Sequence, residues 1–244
     1  MSNPTITHKD IRDNYQRVLE RINKAAKLAG RNPGDIRLVV VTKTHSADEI
    51  QAVIAAGAAD LGENYAEEAI PKIQSLEHNP GLNWHMIGHV QRRKALMICE
   101  NFDYLHSLDS VKLAERLSRF LVELNKTLPT YLEFNVGGES SKSGWNIWRD
   151  ENWERILPDI EKIIALPKLK LLGMMTIPPY SVDPEASRLY YQRLRKFQEF
   201  VIDHLQLPGF KELSMGMSID FEVAIQEGST WIRVGQAILG PRTE

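Results

Sequence analysis

The chain has 244 residues, of which 43% are hydrophobic and 25% charged, as is usual for a soluble globular protein. Its 30 basic and 32 acidic residues nearly cancel, so no net field would recruit nucleic acid or an anionic membrane. Cys99 is the only cysteine, which excludes an internal disulfide. The start of the chain lacks the apolar run of a secretory signal, and run 38–41 is far too short to span a bilayer. We therefore expect a cytoplasmic protein that binds neither nucleic acid nor membrane.

An amphipathic helix is predicted at the start of the chain, over about residues 7–30. Thr7 and Asp10 have the spacing of a capping box, with Asp in place of the preferred Glu. Gly30 ends the pattern before Pro33. The apolar residues between these signals recur at helical spacing: Ile11, Tyr15, Val18 and Ile22.

Short apolar runs then alternate with amphipathic segments. Such alternation indicates parallel strands joined by helical crossovers, and eight runs favour a closed barrel. We predict a single α/β domain over 1–244, a (β/α)8 barrel at about 36–240, with an open doubly wound sheet as the alternative. The runs are 36–42, 59–62, 82–87, 104–107, 130–136, 170–175, 211–214 and 230–234. The clearest helical segments are 48–56, 111–124, 153–165 and 184–205.

Residues 137–150 form the least regular stretch, rich in Gly and Ser, after the fifth run. We expect a mobile loop there, and loops at this end of a barrel carry function. Only ten residues follow the eighth run, so we expect no second domain.

Lys43 directly follows the first run, at the end of a barrel strand where chemistry is found. A lysine held against apolar walls can be neutral and nucleophilic, as imine formation with an aldehyde requires. Taken alone, a lysine after a strand is more often a solvated side chain. Lys43 is therefore a candidate that needs a second signal.

The second signal is a small-residue turn after the seventh run, Ser214–Ser218, followed by a helical stretch at 219–227. Such turns let backbone N–H groups approach an anion, and Ser218 suits the N-cap, while Ser214 could add a hydroxyl donor. Gly235 makes another turn after the eighth run. A phosphate site after strands seven and eight, together with Lys43, favours a phosphorylated aldehyde, and pyridoxal 5′-phosphate (PLP) is the common one.

Seven segments in order resemble the PLP homeostasis protein family, which is similar to the N-terminal barrel of alanine racemase. They are VTKT at 41–44, GENY at 62–65, WHMIGHVQ at 84–91, KSG at 142–144, GMMTI at 173–177, LSMGMSID at 213–220 and RVG at 233–235. The resemblance implies a fold-type III PLP-binding barrel.

The resemblance also implies roles for individual residues. Lys43 would carry PLP as a Schiff base (an internal aldimine), Asn64 would lie beside the cofactor, and Arg233 would face the pyridine nitrogen. The residues implied around the phosphate are Ser214, Gly216, Met217, Ser218 and Gly235. The departures from the usual family residues are Thr42, the pair Glu67-Glu68 in place of a more usual Gln-Glu, and Ile219, and none of them coincides with a proposed contact.

An arginine side chain only donates hydrogen bonds, so a pyridine nitrogen that faces Arg233 would have to be unprotonated to accept one. An unprotonated ring would make the cofactor a poorer electron sink. Racemases of this barrel type also take a second base from an added domain, which we expect this chain to lack; Tyr65 and His85 are the candidates that we can name. We therefore predict a PLP carrier with no catalytic residues, a monomer that hands PLP to apo-enzymes. The alternatives are a PLP-dependent amino-acid racemase and a cofactor-free Schiff-base aldolase.

His85 and His89 have the i,i+4 spacing of a helical zinc site. Gly88 breaks the run between them, and the segment reads as a strand, so the two side chains would not share a helical face. We predict no metal site.

Overall fold

The structure, a computed structural model, describes residues 6–76, 79 and 81–241. The predicted domain extent of 1–244 and the predicted absence of a leader both involve residues outside these ranges. The strands are β1 Arg37–Val41, β2 Asp60–Glu63, β3 Asn83–Met86, β4 Tyr104–Leu108, β5 Leu128–Asn135, β6 Trp145–Asn146, β7 Leu169–Met175, β8 Glu212–Ser214 and β9 Trp231–Val234. The α-helices are α1 His8–Leu28, α2 Ala47–Ala55, α3 Ala66–Ser75, α4 Ala95–Asn101, α5 Val111–Glu123, α6 Trp153–Ile164, α7 Arg188–Leu205, α8 Phe221–Gln226 and α9 Gln236–Leu239.

Eight of the strands close into a parallel barrel, so the predicted fold is confirmed and the open sheet was wrong. Neighbours run β4-β3-β2-β1-β9-β8-β7-β5, and β4 also pairs with β5 to complete the ring. Each strand is followed by a helical crossover, which keeps its carboxyl end at the same mouth of the barrel. No helix among the described residues is long and apolar enough to cross a membrane.

The N-terminal helix α1 forms as predicted. Thr7 and Asp10 make the reciprocal capping box, and the four predicted apolar residues of the stripe are buried. α1 packs on α2, α8 and α9, outside the strands. This helix therefore covers part of the outer side of the barrel.

The barrel has an apolar outer layer and a mixed interior. One large apolar cluster lies between strands and helices, and it includes Cys99 on α4, which is fully buried as predicted. A second, small cluster occupies the barrel interior, formed by Val39, Tyr131, Met175 and Trp231. The interior also holds buried polar side chains, and these position the site described below.

The predicted loop at 137–150 is more ordered than expected. Its residues Trp145–Asn146 form β6, which pairs in parallel with Phe134 and Asn135 of β5. Trp145 packs on Phe134, and Ile147 is fully buried. The apolar side chains of this segment bury against the outer layer, so β6 adds a ninth strand beside the barrel.

The helical segment predicted at 184–205 begins with a 3₁₀ turn and becomes an α-helix four residues later. Asp183 caps a 3₁₀ turn at Pro184–Ser187, and the α-helix begins only at Arg188. The buried residues of α7 are Tyr191, Leu194, Phe197, Gln198 and Val201, whereas Tyr190 and Leu205 are half-buried. The change from 3₁₀ to α geometry rotates the helix face, because the two helices turn by different angles per residue.

Candidate functional site

The sequence-predicted residues follow four strands that are neighbours in the barrel. Val41 of β1 pairs with Gly62 of β2, so Lys43 and Asn64 stand at matching positions two residues beyond that pair. β1 also pairs with β9, which leads to Gly235, and β9 pairs with β8, which leads to Ser214. Register alone thus brings the predicted residues to one sector of the barrel mouth.

Lys43 lies half-buried in the turn after β1. Val39, four residues earlier, belongs to the interior cluster. Lys43 follows β1 by two residues, at the end of the barrel where the carboxyl ends of the strands lie.

A second lysine, Lys72 on α3, anchors the backbone next to Lys43. Its ammonium donates to the Thr42 carbonyl at 3.0 Å, to Glu63 Oε1 at 2.9 Å and to Glu68 Oε1 at 2.6 Å. The Thr42 hydroxyl also donates to Glu63 Oε1, at 2.7 Å. Burial raises the pKa of Glu63, and the charge of Lys72 opposes that shift. We call Lys72, Glu63 and Glu68 the lysine clamp.

The clamp holds the chain on the other side of Lys43 as well. The backbone N–H of Thr44 donates to Glu68 Oε1 at 2.6 Å, and Thr44 has a left-handed φ of 66°. A threonine is rarely stable in that conformation, so the bond to Glu68 offsets part of its cost. Thr42, which departs from the family pattern, and Glu68 thus support the backbone on either side of Lys43, which sequence reasoning did not foresee.

The turn after β8 passes close to α8 at Gly216, which has no side chain. Gly216 has a φ of 100°, and a Cβ added there would lie 2.6 Å from the Ala224 Cβ. Among the described residues, nothing accepts a hydrogen bond from the backbone N–H groups of Ser218, Ile219 and Gly235. These donors suit an anion.

Ser218 does not cap α8 as predicted. The N-cap position is occupied by Asp220, whose Oδ1 accepts from the backbone N–H of Met217 at 2.8 Å. The Ser218 hydroxyl instead accepts from the N–H of Ala237 at 3.4 Å, which ties the turn after β8 to the turn after β9. The helix starts two residues later than predicted because the 218–220 turn precedes it.

Gly235 lies against β1. A Cβ added there would come within 3.2 Å of both the Cβ and the carbonyl oxygen of Val41. The glycine therefore lets the turn after β9 approach the strand that leads to Lys43.

Arg233 and Ser214 are in direct contact. The Arg233 guanidinium donates to Ser214 Oγ at 2.6 Å and to the Thr176 carbonyl at 2.8 Å, and its backbone N–H donates to the Gly216 carbonyl at 3.0 Å. Arg233 is 4% exposed, and Ser214 is fully buried. A contact between Ser214 and a phosphate stays a prediction.

The main chain of Asn64 packs closely against Gly88. A Cβ on Gly88 would lie 2.4 Å from the Asn64 carbonyl oxygen, so the turns after β2 and β3 fit together only with glycine there. Tyr65 is 57% exposed, and His85 is fully buried inside the barrel.

Glu133 on β5 is a residue that sequence reasoning missed. It shares the inward parity of Tyr131, and among the described residues its buried Oε2 has no hydrogen-bond partner. Burial, with the nearby charge of Asp109, raises the pKa of Glu133 to about 7, and Arg233 opposes the shift. Strand alternation across residues 131–133 is the sequence signal that could have found it.

No cluster of three or more His, Cys, Asp or Glu side chains that could hold a metal exists in the described part of the chain.

Comparison with known proteins agrees with this geometry. A family model for the alanine racemase N-terminal domain matches residues 9–243. A pyridoxal phosphate homeostasis protein of Pseudomonas aeruginosa is 42% identical over 233 residues, which cover 95% of this chain and 96% of that protein. The chain belongs to the pyridoxal phosphate homeostasis protein family. The resemblance predicted from the seven motifs is thereby confirmed.

Solved structures place this family member in the same fold. PipY of Synechococcus elongatus, solved with PLP bound, is 33% identical, with a TM-score of 0.78 over 91% of this chain and 100% of its own. Alanine racemase of Clostridium difficile is 16% identical, with a TM-score of 0.70 over 93% of this chain and 59% of the racemase. At that identity the racemase supports the fold alone.

Proposed function

We propose that the chain binds PLP covalently through Lys43 and serves as a cytoplasmic carrier in PLP homeostasis, without turnover of its own. The homologous PipY structure contains PLP, and the Pseudomonas aeruginosa relative is named for PLP homeostasis. The observation in this chain that carries the proposal is the convergence of Lys43, Asn64, Arg233 and the glycine turns at one mouth.

The residues present fit the cofactor. The N–H groups of Ser218, Ile219 and Gly235 would hold the phosphate, since they are unsatisfied among the described residues and Gly216 keeps the approach open. Of the other residues assigned to the phosphate by resemblance, Met217 lies in the same turn and Ser214 is the last residue of β8, just before it. Asn64 would flank the cofactor ring.

When bound, PLP supplies an aldehyde carbonyl that acts as an electrophile. The Lys43 amine would be the nucleophile that holds the cofactor covalently through this carbon. The lysine clamp fixes the backbone on both sides of Lys43, through the Thr42 carbonyl and the Thr44 N–H. This anchoring fixes the backbone from which the Lys43 side chain extends.

Arg233 argues for binding over catalysis. An arginine does not give up its proton to a ring nitrogen, so Arg233 favours the unprotonated form of the pyridine ring. In that form the PLP ring has a lower capacity to stabilise a carbanion. Of the two predicted second bases, Tyr65 is largely exposed, and His85 is enclosed and bonded to Asp60 and His106.

The test uses the visible absorption of the full chain with added PLP. We expect an absorption band of bound PLP for the native chain and its loss in Lys43→Ala and Lys43→Arg, the second of which keeps the positive charge. Lys168→Ala, at a lysine that contacts Asn125, is the matched control and should bind normally. After borohydride reduction, mass spectrometry should find the pyridoxyl mass on the peptide that contains Lys43. A native chain that shows no change with PLP would overturn the proposal.

A second candidate, an amino-acid racemase, is favoured by one observation. Glu133 offers a carboxyl with a pKa of about 7 at the mouth, in the range where a side chain can both accept and donate a proton. Exchange of an amino acid's α-proton in deuterated water, lost in both Lys43→Ala and Glu133→Gln, would establish this activity. A sugar-derived adduct on Lys43 would instead indicate the Schiff-base aldolase. Delivery to apo-enzymes and the monomeric state stay predictions.

A further inference from the structure

A row of polar side chains crosses the barrel interior and ends at Arg233. Asp60 Oδ1 lies 3.0 Å from His85 Nε2, and His85 Nδ1 lies 2.9 Å from His106 Nε2. His106 Nδ1 lies 2.7 Å from Ser214 Oγ, which accepts from the Arg233 guanidinium at 2.6 Å. Five side chains from β2, β3, β4, β8 and β9 are thus joined end to end.

The middle of this row is sealed from water. His85, His106 and Ser214 are fully buried, whereas the Asp60 side chain is 21% exposed. His85 stacks on Tyr104 at 4.4 Å between ring centroids, and His106 stacks on Tyr131 at the same distance. A buried polar row of this kind is stable only when every member is satisfied.

Burial favours the neutral form of both imidazoles. It lowers the pKa of His85, against the pull of Asp60, and it lowers the pKa of His106 well below its ordinary value. The ionisable groups that face the pair from the surrounding elements are Arg37, Asp60, Asp103, Tyr104, Tyr131 and Arg233. Each imidazole then has one N–H donor and one acceptor nitrogen, and its tautomer is decided by its neighbours.

The two ends of the row determine the direction of every bond between them. A carboxylate only accepts, so His85 must present Nε2–H to Asp60, and its Nδ1 becomes an acceptor. His106 must then donate from Nε2 and accept at Nδ1. The Ser214 hydroxyl donates to that Nδ1, and its lone pairs accept from Arg233, which only donates. The opposite direction would set an acceptor nitrogen of His85 against the Asp60 carboxylate.

We propose that Asp60, His85, His106 and Ser214 are positioning residues that hold the Arg233 guanidinium through one fixed direction of hydrogen bonding. Asp60, at the start of β2, selects the Nε2–H tautomer of both histidines and thereby makes Ser214 an acceptor for Arg233. The consequence for the cofactor rests on the proposed function: Arg233 is kept in place to face the PLP ring. The row does not conduct protons to the cofactor, because the Arg233 guanidinium at its end stays protonated.

The direction of bonding can be measured without any cofactor. In the apo-protein with ¹⁵N-labelled histidine, NMR should show that His85 and His106 are both neutral Nε2–H tautomers at pH 7. Asp60→Leu removes the acceptor and should perturb both rings. Asp60→Asn should keep both tautomers, since Asn83 Nδ2 also donates to this position at 3.0 Å and favours the amide oxygen there. A native chain with a protonated Nδ1 on either ring would overturn the inference.

The effect on the cofactor is tested at Ser214 with a matched pair of variants. Ser214→Ala leaves Arg233 and His106 without a shared partner and should weaken PLP binding by about tenfold, as expected for one lost bond to a charged group. Ser214→Thr keeps the hydroxyl and should restore the affinity and the absorption maximum. Equal affinity in Ser214→Ala and the native chain, with native tautomers, would refute the positioning role. Failure of the native chain to bind PLP would refute the proposed function and leave the tautomer result intact.

Discussion

The two sides of the barrel mouth are built from different interactions. Around Lys43 the chain is held by charged side chains, since Lys72 bridges Glu63, Glu68 and the Thr42 carbonyl. Around 214–218 and Gly235 it is shaped by main-chain geometry, with glycines at close contacts and N–H groups unsatisfied among the described residues. The lysine side should therefore respond to changes of charge and pH, and the turn side to changes of volume.

Lys72→Met should have the largest effect, on the charged side. It leaves Glu63, whose side chain is fully buried, without its cationic partner, and the cost of breaking a buried ion pair is roughly 3 kcal/mol of unfolding free energy. Urea denaturation measures it. Lys9→Met, which removes an exposed pair with Asp13, is the control and should leave stability unchanged.

The double variant Lys72→Met/Glu63→Gln tests whether the unpaired charge of Glu63 causes the loss of stability. A neutral amide still accepts from the Thr42 hydroxyl but leaves no buried charge unpaired, so much of the lost stability should return. If the double variant is no more stable than Lys72→Met, charge is not what holds this side of the mouth.

Gly216→Ala tests the turn side and should cost roughly 2 kcal/mol of stability. The added methyl would meet the Ala224 Cβ at 2.6 Å in a left-handed conformation that alanine disfavours. PLP binding should also weaken, because the backbone donors move. Gly209→Ala is the matched control, since nothing lies within 4 Å of its added Cβ. Native stability and affinity in Gly216→Ala would contradict a turn governed by volume.

Glu133→Gln tests the response to pH. Its pKa of about 7 in the folded chain exceeds the unfolded value of about 4.3, so the folded state holds the extra proton. The stability contributed by that proton is complete below about pH 4.3 and is lost as pH rises through about 7. The variant should therefore be more stable than the native chain above pH 7, by on the order of 2 kcal/mol. Parallel pH profiles for the two chains would count against a buried carboxyl that titrates here.

Ser218→Ala should have the smallest effect on stability. It removes a long bond to the Ala237 N–H, worth about 0.5 kcal/mol. PLP affinity, followed by absorption, should fall several-fold, because the hydroxyl lies beside the N–H groups assigned to the phosphate. A larger change in stability than in affinity would indicate that Ser218 is a structural link between the two turns.

Local patterns predicted most of the fold. The capping box and stripe of α1, the eight runs and their alternation with helices all appear in the structure. The errors lie where local and tertiary preferences differ: Trp145–Asn146 pairs with Phe134 and Asn135, which extend β5 beyond the residues paired with β4 and β7, and Asp220, not Ser218, occupies the N-cap position of α8. Pairing and capping partners of this kind are chosen by neighbours in space.

Lys43, Asn64, Arg233 and the turn residues were predicted as cofactor contacts, and register brings them to one mouth. Their binding roles await the experiments above. The supporting residues were not foreseen, because Lys72, Glu133, His106 and Asp60 carry no motif, and their partners are distant in sequence.

The sequence by itself determined the barrel, the order of its strands and the candidates at their carboxyl ends, because hydrophobic period and turn residues act over a few positions. Only the tertiary structure decided how Lys43 and Arg233 are held. The lysine clamp spans α3 and the end of β1, and the row from Asp60 to Arg233 joins five strands. Such contacts depend on which side chains face inward at the same height of the closed barrel, and closure is a property of the whole chain.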